Sequence, residues 1–184
     1  MTVHEIVHAM EQSGLAYGPQ QAVTGADTLV VIDDPGTDVQ CYLRRTGPLL
    51  SIVFRGTNSS RDWHTDFTFW KKTIPYGNDG SKIRVHTGFI NAYKCPHVRG
   101  RIHGMMDEGV RRVRIAGHSY GAALAVLCGV DLQYNFPDRD FTVLLFGCPR
   151  VGNRAFAKSY DKRLFKTLRV GNGNDIVTKV PLAS

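Results

Sequence analysis

The stretch VRRVRIAGHSYGAALAVLC, residues 110–128, decides the fold of this chain. Its first seven residues alternate between apolar and mainly basic side chains, which is typical of a β-strand. Residues 122–128 are apolar and rich in good helix formers. Between these two segments, Gly117-His118-Ser119-Tyr120-Gly121 must reverse the chain within five residues, and glycine suits the positions where the backbone approaches itself closely. The stretch therefore predicts a strand, a sharp turn that projects Ser119, and a helix.

A Gly-x-Ser-x-Gly pentapeptide between a strand and a helix is the nucleophile elbow of α/β-hydrolases. We therefore interpret Ser119 as the nucleophile of an acyl-transfer reaction, which also requires N–H donors for the oxyanion. The backbone N–H of Tyr120 is the expected first donor. The loop after an apolar strand at 49–54 supplies the second, because Gly56 lets the backbone approach and Thr57 can donate its N–H. The alternative interpretation is a plain glycine-rich turn.

The remaining sequence predicts strands that alternate with helices, which indicates a mainly parallel sheet with helices packed against it. Its 184 residues, 42% hydrophobic and 21% charged, fit one α/β domain spanning residues 1–184. A helix that begins near residue 89 is expected to be interrupted, because Pro96 and Gly100 lie within it. The other expected elements are strands at 28–33, 38–44, 49–54, 110–116, 141–146 and 165–170, and helices at 3–13, 122–134 and 153–161.

Charge and composition narrow the range of partners and compartments. The net charge is +7, but the basic residues are scattered, so nucleic acid is not an expected partner. No apolar run approaches the roughly 18 residues that a membrane span needs. The first ten residues lack the features of a secretory signal, so the default expectation is a cytoplasmic protein. The four cysteines form no Cys-x-x-Cys pair, and we expect no metal site.

Five segments, in this order along the chain, resemble the class 3 lipases, the fungal triacylglycerol lipase family with its plant, bacterial and viral relatives. They are VFRGT (53–57), VHTGF (85–89), GHSYG (117–121), FGCPRVGN (146–153) and NDIVTKVP (174–181). The resemblance implies an α/β-hydrolase fold, hydrolysis of carboxylic esters of lipids, and no cofactor. It implies that Ser119 is the nucleophile and that Asp175 orients the catalytic histidine. It also implies that Thr57 and Tyr120 hold the oxyanion, with Tyr120 standing where the family usually has leucine.

The resemblance also implies a lid over residues 63–82, approximately. This segment carries aromatic residues at Phe67, Phe69 and Trp70 next to Lys71 and Lys72. Such a segment could lie on an anionic lipid interface, with its lysines on phosphates. Alternatively, the aromatic side chains belong to the core. The expected partners are thus a lipid or small ester substrate and a peripheral membrane or lipid interface.

One departure from the family pattern bears on activity. The family places its catalytic histidine some tens of residues beyond the aspartate, whereas here no histidine follows Ser119. The base is then expected in sequence that this chain does not contain or on a partner chain. Among the histidines present, His86 matches a supporting position of the family and His118 should point away from the pocket. His64 falls in the lid, and His97 and His103 are expected on a surface helix.

Two functions follow from these observations. The first is a lipase- or esterase-type serine hydrolase that cleaves acylglycerols or phospholipids. The alternative is a catalytically deficient lipase-like protein that binds lipid or a protein partner. In both cases the sheet of a C-terminally shortened family member would have an open edge, and open edges favour pairing with another chain. We therefore expect a homo-oligomer.

Overall fold

The computed structural model describes residues 28–56, the backbone of 72–73, and residues 80–171. Within these ranges the chain forms eight strands. They are β1 (Thr28–Asp34), β2 (Val39–Thr46), β3 (Leu49–Phe54), β4 (Lys72–Thr73), β5 (Arg84–Val85), β6 (Arg112–His118), β7 (Asp140–Phe146) and β8 (Thr167–Val170). The helices are α1 (Thr87–Lys94), α2 (Arg101–Gly104), α3 (Tyr120–Asn135) and α4 (Arg154–Arg163), and a π-helical turn (Pro96–Gly100) joins α1 to α2.

Six strands form one sheet in the order β1-β2-β3-β6-β7-β8. The β1–β2 and β2–β3 pairs are antiparallel, whereas β3, β6, β7 and β8 run parallel to one another. Short turns are sufficient for the two antiparallel pairs, while the parallel strands need helical crossovers. The mainly parallel sheet expected from the sequence is therefore confirmed, with an antiparallel hairpin added at one edge.

Helix α3 lies at the centre of the core. Every residue from Gly121 to Leu132 is buried, so this helix has no solvent-facing stripe along most of its length. The helix packs against β6, β7 and α1, on the sheet face that carries Ile115 and Val143. A smaller cluster of Val53, Ala116, Leu144 and Phe146 is buried on the opposite face. The sheet is thus apolar on both faces, as parallel sheets usually are.

The expected interruption near Pro96 is also observed. Helix α1 ends at Lys94, and Cys95 adopts φ −51° and ψ 129°, an extended conformation of the kind that proline imposes on the residue before it. The chain then continues through the π-helical turn into α2. No helix in the described residues is both long and apolar enough to cross a bilayer.

Candidate active site

Ser119 stands at a strained turn between β6 and α3. Its backbone has φ 53° and ψ −121°, a conformation that residues with a side chain rarely adopt. The Ser119 N–H donates to the carbonyl oxygen of Phe146 at 2.9 Å, which ties the turn to the end of β7. The Ser119 carbonyl accepts the first hydrogen bonds of α3, from the N–H groups of Ala122 and Ala123. Strain held by surrounding structure is characteristic of functional sites.

The two glycines of the pentapeptide are required by close backbone contact. A Cβ on Gly117 would lie 2.4 Å from the carbonyl oxygen of Gly121. A Cβ on Gly121 would lie 2.5 Å from the carbonyl oxygens of both Phe54 and Arg55. The first contact closes the turn on itself, and the second holds the start of α3 against the end of β3. The close approach that the sequence predicted is therefore present.

The candidate site lies at the carboxyl ends of the parallel strands. Phe54 of β3 pairs with Gly117 of β6, and Phe146 of β7 pairs with His118 of β6 and with Val170 of β8. These four parallel strands consequently end side by side, next to Ser119. The segments that lead to the two remaining predicted site residues, Thr57 and Asp175, start from these same strand ends, after β3 and after β8.

Those two residues, Thr57 and Asp175, lie outside the described residues, as does His64. Most of the predicted lid does too, since only 72–73 and 80–82 of residues 63–82 are described. Ser119 and Tyr120 are therefore the two predicted site residues that the structure locates. Their assignment, with that of Thr57 and Asp175, remains a prediction.

Tyr120 does more than present its backbone N–H. Its half-buried side chain donates a hydrogen bond from the hydroxyl to the carbonyl oxygen of Thr37, at 3.3 Å, in the β1–β2 turn. Its ring meets Phe89 edge-on, with ring centroids 5.7 Å apart. Burial raises the pKa of Tyr120 to about 12, and the nearby Asp38 carboxylate adds to this, so the phenol stays protonated as a donor. The tyrosine thus ties the elbow to the β1–β2 turn and to α1.

His86 joins three segments near the elbow. Its backbone N–H donates to the carbonyl oxygen of Val151 at 2.9 Å. Its ring Nδ1 accepts from the backbone N–H of Gly88 at 3.2 Å, which caps the start of α1. Its ring lies 4.5 Å from that of Phe89. Burial lowers the pKa of His86, which favours the neutral ring that this cap requires. These contacts fit the supporting role expected from the resemblance.

The general base is not among the described residues that contact Ser119. No side chain of residues 28–56 or 80–171 is hydrogen-bonded to the Ser119 Oγ. His118 is exposed at the end of β6, and His97 is exposed in the π-helical turn. Among the histidines that the structure describes, none is hydrogen-bonded to the Ser119 Oγ.

His103 differs from its expectation as a surface residue. Its Nε2 lies 2.6 Å from Oδ2 of Asp131, a carboxylate of α3 whose side chain is only 5% exposed. The same carboxylate accepts hydrogen bonds from the Tyr93 hydroxyl, the Arg99 guanidinium and the Asn135 amide. Burial opposes ionisation of Asp131, but the hydrogen bonds from His103, Arg99 and Tyr93 outweigh it and lower its pKa to about 2. This cluster fastens α1 and the π-helical turn to α3.

The sequence pattern gave no sign of this cluster beyond an acidic residue in an otherwise apolar helix. Such a residue indicates either a helix end or a buried ion pair, and the second explanation holds here. The described residues contain no group of three or more histidine, cysteine, aspartate or glutamate side chains placed to hold a metal ion.

Comparison with known proteins agrees with the geometry. The sequence model of the family described as Lipase (class 3) matches residues 51–184. A chloroplastic phospholipase A(1) of Arabidopsis thaliana is 34% identical over 152 residues, which cover 71% of this chain and 33% of that protein. A secreted mono- and diacylglycerol lipase of Malassezia globosa is 32% identical over 144 residues, which cover 72% of this chain and 46% of that protein. The chain thus spans a third to a half of the length of these relatives.

A solved structure shares the fold. It is a triacylglycerol lipase whose catalytic centre is described as a serine protease triad, and it superimposes with a TM-score of 0.77 at 27% identity. The match covers 99% of this chain and 76% of that structure. The α/β-hydrolase fold predicted from the sequence is therefore confirmed.

The expectation of a cytoplasmic protein is wrong by the same comparisons. The Arabidopsis relative is named chloroplastic, and the Malassezia relative is named secreted. The cytoplasmic default rested on the missing features of a leader in the first ten residues, and a pattern so close to one end of a sequence says little about where related proteins work.

Proposed function

Because the chain belongs to the class 3 lipase family, we propose that it hydrolyses carboxylic esters of lipids with Ser119 as the nucleophile. The observation that carries this proposal is the conformation of Ser119. A positive φ of 53° is held between β6 and α3 by two glycines that cannot be replaced without a clash. An ordinary glycine-rich turn has no need to force a serine into this conformation, whereas an elbow needs it to expose the Oγ.

In the proposed reaction the Ser119 Oγ attacks the acyl carbonyl of the substrate and transfers its proton to an imidazole. The N–H groups of Tyr120 and Thr57 stabilise the oxyanion of the tetrahedral intermediate. Collapse of the intermediate expels the alcohol, which takes the proton from the imidazolium and leaves an acyl-enzyme. Water then repeats these steps and releases the carboxylic acid and free Ser119. Asp175 orients the imidazole. The residue that carries this imidazole must lie outside the described residues or on a partner chain.

Acylglycerols or phospholipids are the proposed substrates. The relatives named above are a phospholipase A(1) and a mono- and diacylglycerol lipase, so both classes occur among similar proteins. The net charge of +7 would draw the protein to anionic lipid surfaces. The aromatic and lysine residues predicted for the lid at 63–82 would contact such a surface.

Labelling with a fluorophosphonate probe tests the proposed nucleophile. If a segment outside the described residues or a partner copy supplies the imidazole, the wild-type chain should be labelled and Ser119→Ala should lose the label completely, because the probe bonds only to an activated hydroxyl. Ser159→Ala is the matched control, since Ser159 lies on α4 and should leave labelling unchanged. If Ser119→Ala is labelled as strongly as a labelled wild type, Ser119 is excluded as the nucleophile.

A binding function is the second candidate, and the observation in its favour is the surroundings of the Ser119 Oγ. No described histidine is hydrogen-bonded to it, and a serine without its base retains only the roughly 10³–10⁴-fold rate enhancement that the oxyanion hole and binding provide. If the wild-type chain is not labelled but sediments with lipid vesicles, the protein binds lipid without hydrolysing it.

We propose further that the chain self-associates through β8. This strand is the last of the described sheet, and exposed apolar side chains lie on it and just before it, with Val170 39% and Phe165 79% exposed. Exposed strand edges with apolar side chains favour pairing with another copy. Sedimentation equilibrium at micromolar concentration should show a dimer or larger species. Phe165→Lys should shift it towards monomer, and a monomeric wild type would contradict the proposal.

A further inference from the structure

A groove lies beside α4. Its volume is about 930 Å³, within the range of ligand-binding cavities. Its described lining comes from four segments: β5, the loop 147–153, α4 and β8, with Val126 of α3 beneath. Neither Ser119 nor Tyr120 belongs to this lining. The proposed hydrolysis at Ser119 therefore does not account for this groove.

The floor of the groove is apolar. Val126, Val151 and Phe156 line it, and each is at most 4% exposed. Tyr160 also contributes, with its hydroxyl occupied by a hydrogen bond to the Thr167 hydroxyl at 2.9 Å. Such a floor offers an apolar seat for a hydrocarbon chain.

The rim of the groove is basic. Four arginines line it, one from each of the four segments: Arg84, Arg150, Arg154 and Arg169. Asp161 is the one acidic residue of the described lining, so the described groove carries a net charge of +3. Every basic residue of the described lining is arginine, whose planar guanidinium binds carboxylates through two parallel hydrogen bonds.

The four guanidinium groups remain available for a ligand. None forms an ion pair with a carboxylate of the described residues; Arg84 donates to the carbonyl oxygens of Ser81 and Ile83 and Arg169 to the Cys148 sulfur at 3.4 Å. Four like charges gathered around one cavity with a single carboxylate, Asp161, repel one another, and a bound anion relieves this repulsion.

The wall that carries these arginines is rigid. Val85 and Gly152 form a β-bridge, and Asn153 binds β5 through its own N–H and through its side chain, which accepts from the N–H of Arg84 at 3.2 Å. The same side-chain oxygen caps α4 by accepting from the N–H of Phe156. The backbone from which Arg84, Arg150 and Arg154 extend is therefore fixed before any ligand binds, which lowers the entropic cost of binding.

We propose that this groove binds a long-chain carboxylic acid, with its carboxylate at the arginines and its hydrocarbon chain on the apolar floor. The charge of the rim selects an anion, and the floor selects an anion that carries an apolar chain. A simple phosphate would satisfy the rim and leave the floor empty. Ser119 and Tyr120 do not line the site, and the proposal does not depend on hydrolysis.

Isothermal titration of the full chain with decanoate, below its micelle concentration, tests this proposal. Decanoate should bind at one saturable site, while decanol and inorganic phosphate should each bind at least about tenfold more weakly. Replacing both Arg150 and Arg154 with alanine should weaken decanoate binding about tenfold or more. Both side chains are exposed, so the fold should tolerate the change. The titration should give the same result with Ser119→Ala, which separates this site from catalysis.

A matched control removes the same charge elsewhere. Arg111 and Arg112 are exposed where β6 begins, at the end of the parallel strands opposite to Ser119. Their double replacement by alanine should leave decanoate binding unchanged. Ala155 also lines the groove, and Ala155→Leu, which narrows the groove without altering its charge, should weaken binding of decanoate but not of phosphate. The proposal fails if the groove variants bind decanoate normally or the control pair loses as much affinity. It also fails if phosphate binds as well as decanoate, which would indicate a site for simple anions.

Discussion

Gly121→Ala should destabilise the chain by about 3 kcal/mol or more, enough to unfold much of it at room temperature. The new Cβ would lie 2.5 Å from the carbonyl oxygens of Phe54 and Arg55, and neither is the end of a flexible side chain that can move aside. Relief would require α3 to shift away from β3. Urea denaturation followed by circular dichroism measures the loss.

Gly104→Ala is the matched control for this prediction. Gly104 ends α2, and a Cβ there would meet no atom within 4 Å. Its free energy of unfolding should stay within about 1 kcal/mol of wild type, since alanine favours helix more than glycine does. A Gly121→Ala chain that unfolds at the wild-type urea concentration would contradict the argument. It would show that β3 and α3 can separate at little cost.

The same contact connects the fold to the proposed chemistry. By holding the start of α3 against the end of β3, Gly121 brings the Tyr120 N–H next to the segment that continues from Arg55 to Thr57. The proposed oxyanion hole needs N–H groups from both segments. A variant that still folds with a displaced helix should therefore lose fluorophosphonate labelling before it loses secondary structure.

The fold could be predicted well because its signals are local. The mainly apolar run at 49–54 gives β3 with its predicted bounds, and the predicted helix at 153–161 differs from α4 by at most two residues at each end. The turn at Ser119 was predictable since both glycines lie two residues away from it. Each of these signals is contained in fewer than about 12 residues, which is the range over which periodicity can be read.

The contacts that surround the site could not be predicted, because they join residues far apart in sequence. The Tyr120 hydroxyl donates to the carbonyl oxygen of Thr37, which lies 83 residues earlier in the sequence. Asp131 meets His103, 28 residues earlier, and no spacing rule connects them. Likewise, the rim of the groove beside α4 gathers arginines from separate segments, which appeared in the sequence only as scattered positive charge.

Asp131→Ala should destabilise the chain by about 3 kcal/mol at neutral pH. The substitution removes the acceptor shared by Tyr93, Arg99 and His103, and it leaves the Tyr93 hydroxyl buried without that bond. The effect should fall at the lower end for buried ion pairs, because the Arg99 side chain is 38% exposed and water can replace part of its contact. Asp140→Ala is the control, since Asp140 pairs with Lys166 at the surface, where the two side chains are 51% and 47% exposed.

The difference between wild type and Asp131→Ala should depend on pH in a defined direction. The pKa of Asp131 is about 2 in the folded chain, below the value of about 3.9 for an unfolded aspartate. A group whose pKa is lowered by folding stabilises the chain fully above its unfolded pKa and loses this contribution as the pH falls towards the folded value. Urea denaturation should therefore give a constant difference from neutral pH to about pH 5, and a shrinking one below about pH 4. A difference that stays unchanged down to about pH 2 would show that Asp131 acts through packing, because protonation would then cost the wild type nothing.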